Sequence, residues 1–370
     1  MPTKTIDEIK EMIAADEFAG VTLDTSIFDQ YDCNLRFRTL QALKQFRDTG
    51  ISVILSTIIT SEVKAHLTEA FGEAATKLKQ ALNQYDRTWQ LNLDKAKIGA
   101  DLAVDEDPSA KAASMIDEFL GATGATLLPI PEALTIQQVV DLYFGGQAPF
   151  APKGDKKSEF PDAIALLSLE AWAGANGAVL AVSRDGDWKR YAEGSANIIC
   201  LDNFPAALAL FNDADRVIGA RIVTDLREDR SPLLKAWVDG ALERFVEEFD
   251  IEANGDHYYE AEPEGATVNQ WAVSPGAVNV VSADAETLTV VVKIEAEVVF
   301  HANFRFSHWD GIDREYIRLP SSSSSAVEQV ILEVAITIYK NDLDDPEPQE
   351  VSVESSGLTA DFGYVEPDWG

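Results

Sequence analysis

The stretch PDAIALLSLEAWAGANGAVLAVSRDGD, residues 161–187, decides the fold. Its first half reads as a strongly apolar helix that starts near Asp162 and runs through Ile164, Leu167, Leu169 and Trp172. Gly174 and Gly177 end it. Ala178 to Val182 is then a short, unbroken apolar strand, and Asp185 follows its end. A helix feeding a buried strand is the repeating unit of a parallel sheet with helices packed on it.

The same unit recurs upstream. Val21-Thr22-Leu23 reads as a buried strand closing at Asp24. Phe37, Leu40, Leu43 and Phe46 recur at helical spacing, and Asp48-Thr49-Gly50 supplies a stop before the β-branched strand Ile51 to Leu55. A long helical pattern begins near Ser61, with Glu62 at its start, and continues through Val63, Leu67, Ala70, Leu78 and Leu82. The run Asp105-Glu106-Asp107-Pro108 breaks the chain before a helix from Ser109 to Leu120, and Leu127 to Ile130 reads as a third strand. Residues 145–158 read as a loop holding Gly145, Gly146, Pro149, Pro152 and Gly154 with Lys153, Lys156 and Lys157. Downstream, Trp188 to Ala192 reads as a short helix and Asn197 to Leu201 as another strand. The expectation for residues 1–215 is an α/β domain, a three-layer α/β/α parallel sheet whose ligands bind beyond the carboxyl ends of its strands.

The pattern changes after about residue 220. A helix from Pro232 to Phe249 precedes two long alternating stretches, Leu288 to Phe306 and Val327 to Tyr339. Val290, Val292, Ile294, Ala296 and Val298 fall on one face, with Lys293, Glu295 and Glu297 on the other, the period-two pattern of half-buried antiparallel strands. Ser321 to Ser325 reads as a flexible loop, and Val351 to Val353 as an edge strand in an acidic tail. Residues 216–370 are expected to form an acidic α+β domain.

Charge and composition restrict the function. The net charge is −33. Residues 221–370 carry 10 basic and 31 acidic side chains, so the second part is the more acidic one. Such a field repels polyanions, so a nucleic-acid substrate needs local cations to be admitted. Cys33 and Cys200 are the two cysteines, too few for a disulfide framework or a cysteine-rich zinc site, and they read as packed reduced thiols. His66, His257, His301 and His308 show no zinc spacing. Trp309 and Tyr316 read as core residues rather than base-stacking ones. No apolar run reaches membrane-spanning length, and the start, Met1-Pro2-Thr3-Lys4, does not read as a signal peptide, so a soluble cytoplasmic protein is expected.

Four acids stand out by position. Asp24 and Asp185 each follow a strand and emerge at the carboxyl edge of a parallel sheet. Asp162 sits in the first turn of the apolar helix, beside Pro161, and Glu62 near the start of the helix after the second strand. Each has a structural alternative. Asp24 caps a helix, Asp162 complements a helix dipole, Asp185-Gly186 makes a turn, and Glu62 is a solvated helix residue. Together they define a site. Two like charges ~4 Å apart repel by about 4 kcal/mol at an effective dielectric of 20, and a divalent cation removes that penalty. Oxygen donors select Mg²⁺ or Mn²⁺.

At these residues the chain resembles the PIN-domain nuclease family over roughly residues 18–205. The resemblance lies in Val21-Thr22-Leu23-Asp24-Thr25-Ser26, in Ser61-Glu62-Val63, in Phe160-Pro161-Asp162-Ala163-Ile164-Ala165, and in Val182-Ser183-Arg184-Asp185-Gly186-Asp187-Trp188. It implies a metal-dependent endonuclease, a ribonuclease first of all, cutting single-stranded or structured RNA with Mg²⁺ or Mn²⁺. It implies that Asp24, Glu62, Asp162 and Asp185 are catalytic metal ligands, with Asp187 an alternative or extra ligand, and that Ser26 helps hold the site. One hundred residues separate Glu62 from Asp162, longer than in compact toxin-type members of the family and closer to larger prokaryotic ones with a C-terminal extension. Lys153, Lys156, Lys157 and Arg184 are expected to grip phosphates, with Lys189 and Arg190 nearby. The rival expectation is a catalytically silent PIN-like scaffold that binds a protein partner, or a second copy of itself, through its acidic C-terminal domain. A metal-dependent phosphatase acting on small molecules is a third.

Overall fold

A computed structural model describes residues 4–47, 49–150, 159–276, 278–310, 314–340 and 347–369 of the chain. The chain divides into two compact units, Met1–Phe211 and Asn212–Gly370.

The first unit runs α1 (Ile6–Ala14), β1 (Phe18–Leu23), α2 (Thr25–Gln30), α3 (Arg38–Gln41), β2 (Ser52–Ser56), α4 (Thr57–Trp89), α5 (Lys95–Asp101), α6 (Pro108–Thr123), β3 (Thr126–Leu128), α7 (Ile136–Gly145), α8 (Phe160–Asn176), β4 (Ala178–Val182), α9 (Gly186–Gly194), β5 (Ile198–Leu201) and α10 (Phe204–Ala209). The strands form one parallel sheet in the order β3-β2-β1-β4-β5, flanked by helices. From β1 the chain steps outward to β2 and β3, then returns to build β4 and β5 on the other side. The reversal falls between β1 and β4, where open α/β sheets bind their ligands. Leu23 pairs with Val182, so the two strands end level and the residues after them meet.

Packing then fixes the helix that carries Asp162. α8 lies on the sheet through Ala165, Leu166 and Leu169, all buried. At Gly20, in β1, a Cβ would meet Trp172 of α8 at 3.1 Å and Ile54 at 2.6 Å, so glycine allows that close approach. The start of α8 is held by a ring cluster in which Phe160 stacks on Tyr143 at 5.4 Å and meets Phe150 edge-on at 5.1 Å.

Some element boundaries differ from the sequence reading. The pattern over Phe37 to Phe46 is not one helix but α3 followed by a 3₁₀ turn, Ala42–Phe46. α4 begins at Thr57, earlier than the apolar period suggests, because the Ser56 hydroxyl caps it by accepting from Ile58 N at 3.2 Å. Glu62 therefore sits in the second turn rather than at the helix start. α7, just before the glycine- and lysine-bearing stretch, is a helix that the sequence reading lacked; it opens with a capping box between Thr135 and Gln138.

The second unit contains α11 (Arg216–Arg227), α12 (Pro232–Val246), β6 (Phe249–Asn254), β7 (Tyr258–Val273), β8 (Asn279–Ala283), β9 (Thr287–Asp310), β10 (Glu315–Arg318), β11 (Ser322–Tyr339), β12 (Pro348–Val353) and β13 (Leu358–Tyr364). β9 is the axis of an antiparallel sheet, paired with β7, β8, β10 and β11. Val290, Val292, Ile294, Ala296 and Val298 are all buried, as the alternation requires, and helices α11 and α12 contribute Ile222, Leu234, Val238 and Leu242 to the same core. β12 pairs with β11 at the sheet margin, and β13 pairs in parallel with β6 as a separate two-stranded sheet. Among the described residues, no helix is long and apolar enough to cross a membrane.

The serine run is the clearest departure. Ser322 to Ser325 form the start of β11 and pair with Phe304 to His301. Serine has little preference for strands, but the long partner β9 offers a full ladder, and such context overrides propensity. Hydrogen exchange should therefore show protection at alternate amides of Ser322–Ser325; uniformly fast exchange across the run would contradict the pairing.

Candidate functional site

Asp24 is the most constrained acid. It is buried at the N-cap of α2, and its backbone N donates to Val182 O at 3.0 Å, tying it to the end of β4. Its Oδ1 accepts from Thr25 N at 2.7 Å. Its Oδ2 accepts from Ser26 Oγ at 2.6 Å, from Ser183 Oγ at 2.7 Å and from Ser26 N at 3.4 Å. Capping and site-building are thus the same arrangement. Burial pushes the Asp24 carboxyl above the usual range, against the bonds from Ser26, Ser183 and the Thr25 and Ser26 amides.

Hydrogen bonds tie the other acids to residues around the same strand ends. Asp162, in the first turn of α8, accepts from the Trp188 indole Nε1 at 3.2 Å, and Trp188 is itself buried in α9. The Asp162 carboxyl is pushed up to about 6. Burial is the main cause; the Trp188 bond opposes it, and the charges of Asp24, Glu62 and Asp185 add to the rise. One side chain thus feels all three of its partners. Glu62 Oε2 accepts from Thr25 Oγ1 at 2.6 Å, which links α4 to α2. Asp185 caps α9, its Oδ1 accepting from Asp187 N at 2.7 Å, while its own N donates to Ser183 Oγ at 2.9 Å.

The residues expected around this centre divide. Asp187 is buried and engaged in an ion pair with Arg190 one turn on. Ser26 holds the site as expected, and its Oγ also accepts from Arg184 N at 3.0 Å. The Arg184 side chain is exposed beside the acids. Lys153, Lys156 and Lys157 lie outside the described residues. Sequence reasoning missed three contributions: Thr25 orienting Glu62, Ser183 donating to Asp24, and Trp188 holding Asp162. All three lie within the motif stretches, but their bonds span 26 to 159 residues of chain, and no local pattern signals them.

The donor set suits a hard divalent cation. It is all carboxylate oxygen, and among the described residues Glu62, Asp162 and Asp185 each give one oxygen to a protein donor while the second accepts no hydrogen bond. The four acids do not close on one another. Among the described residues, the one set of three donors within 4.8 Å of each other is Asp29, Cys33 and His66. Cys33 and Cys200 are both free and buried, and burial pushes each thiol up to about 12, so neither serves as a nucleophile at neutral pH. In the second unit, Trp309 and Tyr316 are not core residues: they are half exposed and stack edge-on at 5.0 Å at the sheet margin.

Residues 21–188 match a family model described as PIN domain. The match lies within the first unit, whose parallel sheet flanked by helices is PIN-like, and it ends before the second unit begins. No curated protein and no solved structure matches the chain.

The raised Asp162 carboxyl has a stability consequence. A group whose folded value lies above its unfolded one contributes stability that is complete below the unfolded value, near 4, and lost as pH rises through about 6. Without added metal, wild-type protein should therefore lose roughly 1–3 kcal/mol relative to Asp162→Asn between pH ~4 and ~7. Urea melts of both proteins across that range measure it; parallel curves would contradict the raised Asp162 carboxyl.

Proposed function

We infer that the first unit is a metal-dependent endonuclease acting on RNA, with Asp24, Glu62, Asp162 and Asp185 as its metal-holding residues. One observation carries this reading: at the switch point of the sheet, in the stretch that matches a PIN domain, Ser183 ties Asp24 to Asp185, and the Asp162 carboxyl, held by Trp188, is near enough to feel the charges of Asp24, Glu62 and Asp185. Mg²⁺ or Mn²⁺ bound there supplies an activated water and charge stabilisation at phosphorus.

The protein's part is to hold the oxygens in place. Ser26 and Ser183 fix the orientation of Asp24, Thr25 that of Glu62, and Trp188 that of Asp162. Residues on α2, α8 and α9 thereby share one preorganised frame at the ends of β1 and β4. Arg184 and Lys189, both exposed next to Asp185, suit contacts to the phosphates on either side of the cut. Lys153, Lys156 and Lys157 belong to the same proposed grip. These cations and the bound metal offset a net charge of −33 that would otherwise repel a polyanion.

The rival reading, a silent scaffold that binds a protein partner through the acidic second unit, draws on the separation of the acids and on that same charge. A cleavage assay separates the two. Purified protein should cut single-stranded or structured RNA when given Mg²⁺ or Mn²⁺ and not in the presence of a chelator. Asp24→Asn and Asp162→Asn should each lose at least about 100-fold in rate, and Asp162→Asn should fold as well as wild type because it removes a repelling charge. Wild-type inactivity on every RNA and DNA tested, or full activity in Asp24→Asn, would overturn the reading.

A further inference from the structure

A second donor cluster lies one helical turn from the acidic centre. Asp29 stands one turn after Thr25 on α2, and His66 one turn after Glu62 on α4. Beyond α2, the chain turns back through Asp32 and Cys33, both in left-handed conformation at φ 49° and 52°, with Cys33 N donating to Phe28 O at 2.8 Å. The return brings Cys33 Sγ to 3.6 Å from Asp29 Oδ1, and the same oxygen lies 2.8 Å from His66 Nδ1. Ligand atoms of all three residues lie within 4.8 Å of one another.

We propose that Asp29, Cys33 and His66 form a separate metal site, for a transition-metal cation of the Zn²⁺ or Co²⁺ class, that clasps α2 to α4 beside the acidic centre. The donor chemistry separates it from that centre. Sulfur and imidazole select borderline cations, whereas four carboxylates select Mg²⁺ or Mn²⁺. The spacing fits: two ligands of a tetrahedral zinc ion, each about 2.0–2.3 Å from it, stand roughly 3.3–3.6 Å apart. The Cys33–Asp29 distance of 3.6 Å already meets this, and the His66–Asp29 distance of 2.8 Å needs to open by about half an ångström as the metal replaces the shared proton.

Charge and access fit as well. The Cys33 S–H proton passes to solvent on binding, so a dication meets one thiolate, one carboxylate and a neutral imidazole, and the site is neutral overall. That suits a buried sulfur, since an uncompensated charge there is costly. Cys33 forms the floor, while Asp29 and His66 are about half exposed and give an entry path and room for a water as fourth ligand. The clasp would add to the Thr25–Glu62 bond, which already joins the same two helices, and would fix the spacing of Asp24 and Glu62.

The test is cobalt titration of the full chain after removal of metal with a chelator. One equivalent of Co²⁺ should produce a sulfur-to-cobalt charge-transfer band, displaced by Zn²⁺ and untouched by excess Mg²⁺. Cys33→Ser and His66→Ala should each lose the band. His66 is half exposed, so its variant is expected to fold. Asp24→Asn, which disables the acidic centre, should keep the band, so failure of the nuclease reading and failure of this one are distinguishable. Absence of a thiolate band in wild type, or a band unchanged in both Cys33→Ser and His66→Ala, would overturn the proposal.

Discussion

The structure of the first unit depends on keeping a carboxylate, Asp24, buried at the reversal point of a parallel sheet. Sheet topology requires that the residues following β1 and β4 meet, because the two strands end in register. The sequence places carboxylates at or near both ends. A buried carboxylate is costly unless its oxygens are hydrogen-bonded. Asp24 meets that condition with two serine hydroxyls and two backbone amides. Charged hydrogen bonds contribute about 1.5–3 kcal/mol each, enough to keep such a group inside the protein. Asp162 is less well satisfied, with one indole donor, and it bears the charge of the other three acids. Burial first, and then those charges, raise the Asp162 carboxyl.

Much of this was legible in the sequence because it is local. The ends of Val21–Leu23 and Ala178–Val182, and the first turn opened by Pro161, are positions that periodicity and capping rules define without tertiary information. Order along the chain then implied parallel pairing, and parallel pairing implied a shared edge. The exact setting of Glu62 was not legible, since Ser56 starts α4 before any apolar period begins. Nor were the bonds from Thr25, Ser183 and Trp188, which join residues distant in sequence. The ion pair of Asp187 with Arg190, one turn away on the same short helix, was not foreseen either.

The Asp29–Cys33–His66 cluster was hidden for a related reason. Metal motifs are recognised by close spacing, and here His66 lies on α4, far along the chain from Asp29 and Cys33. Two consecutive left-handed residues, neither of them glycine, bring Cys33 back under Asp29. In the second unit the strands were readable from alternation alone, yet the serine run was not, because its pairing belongs to the partner strand rather than to its own composition.

The central claim is that a divalent cation binds among the carboxylates beside Trp188. Fluorine NMR of protein labelled with 5-fluorotryptophan tests it directly, with Trp188 assigned from a Trp188→Phe sample. Substoichiometric Mn²⁺ should broaden the Trp188 line, leave the line of Trp89, at the far end of α4 from Glu62, sharp, and leave both lines sharp in Asp162→Asn. A Trp188 line no more affected than that of Trp89 would contradict the account.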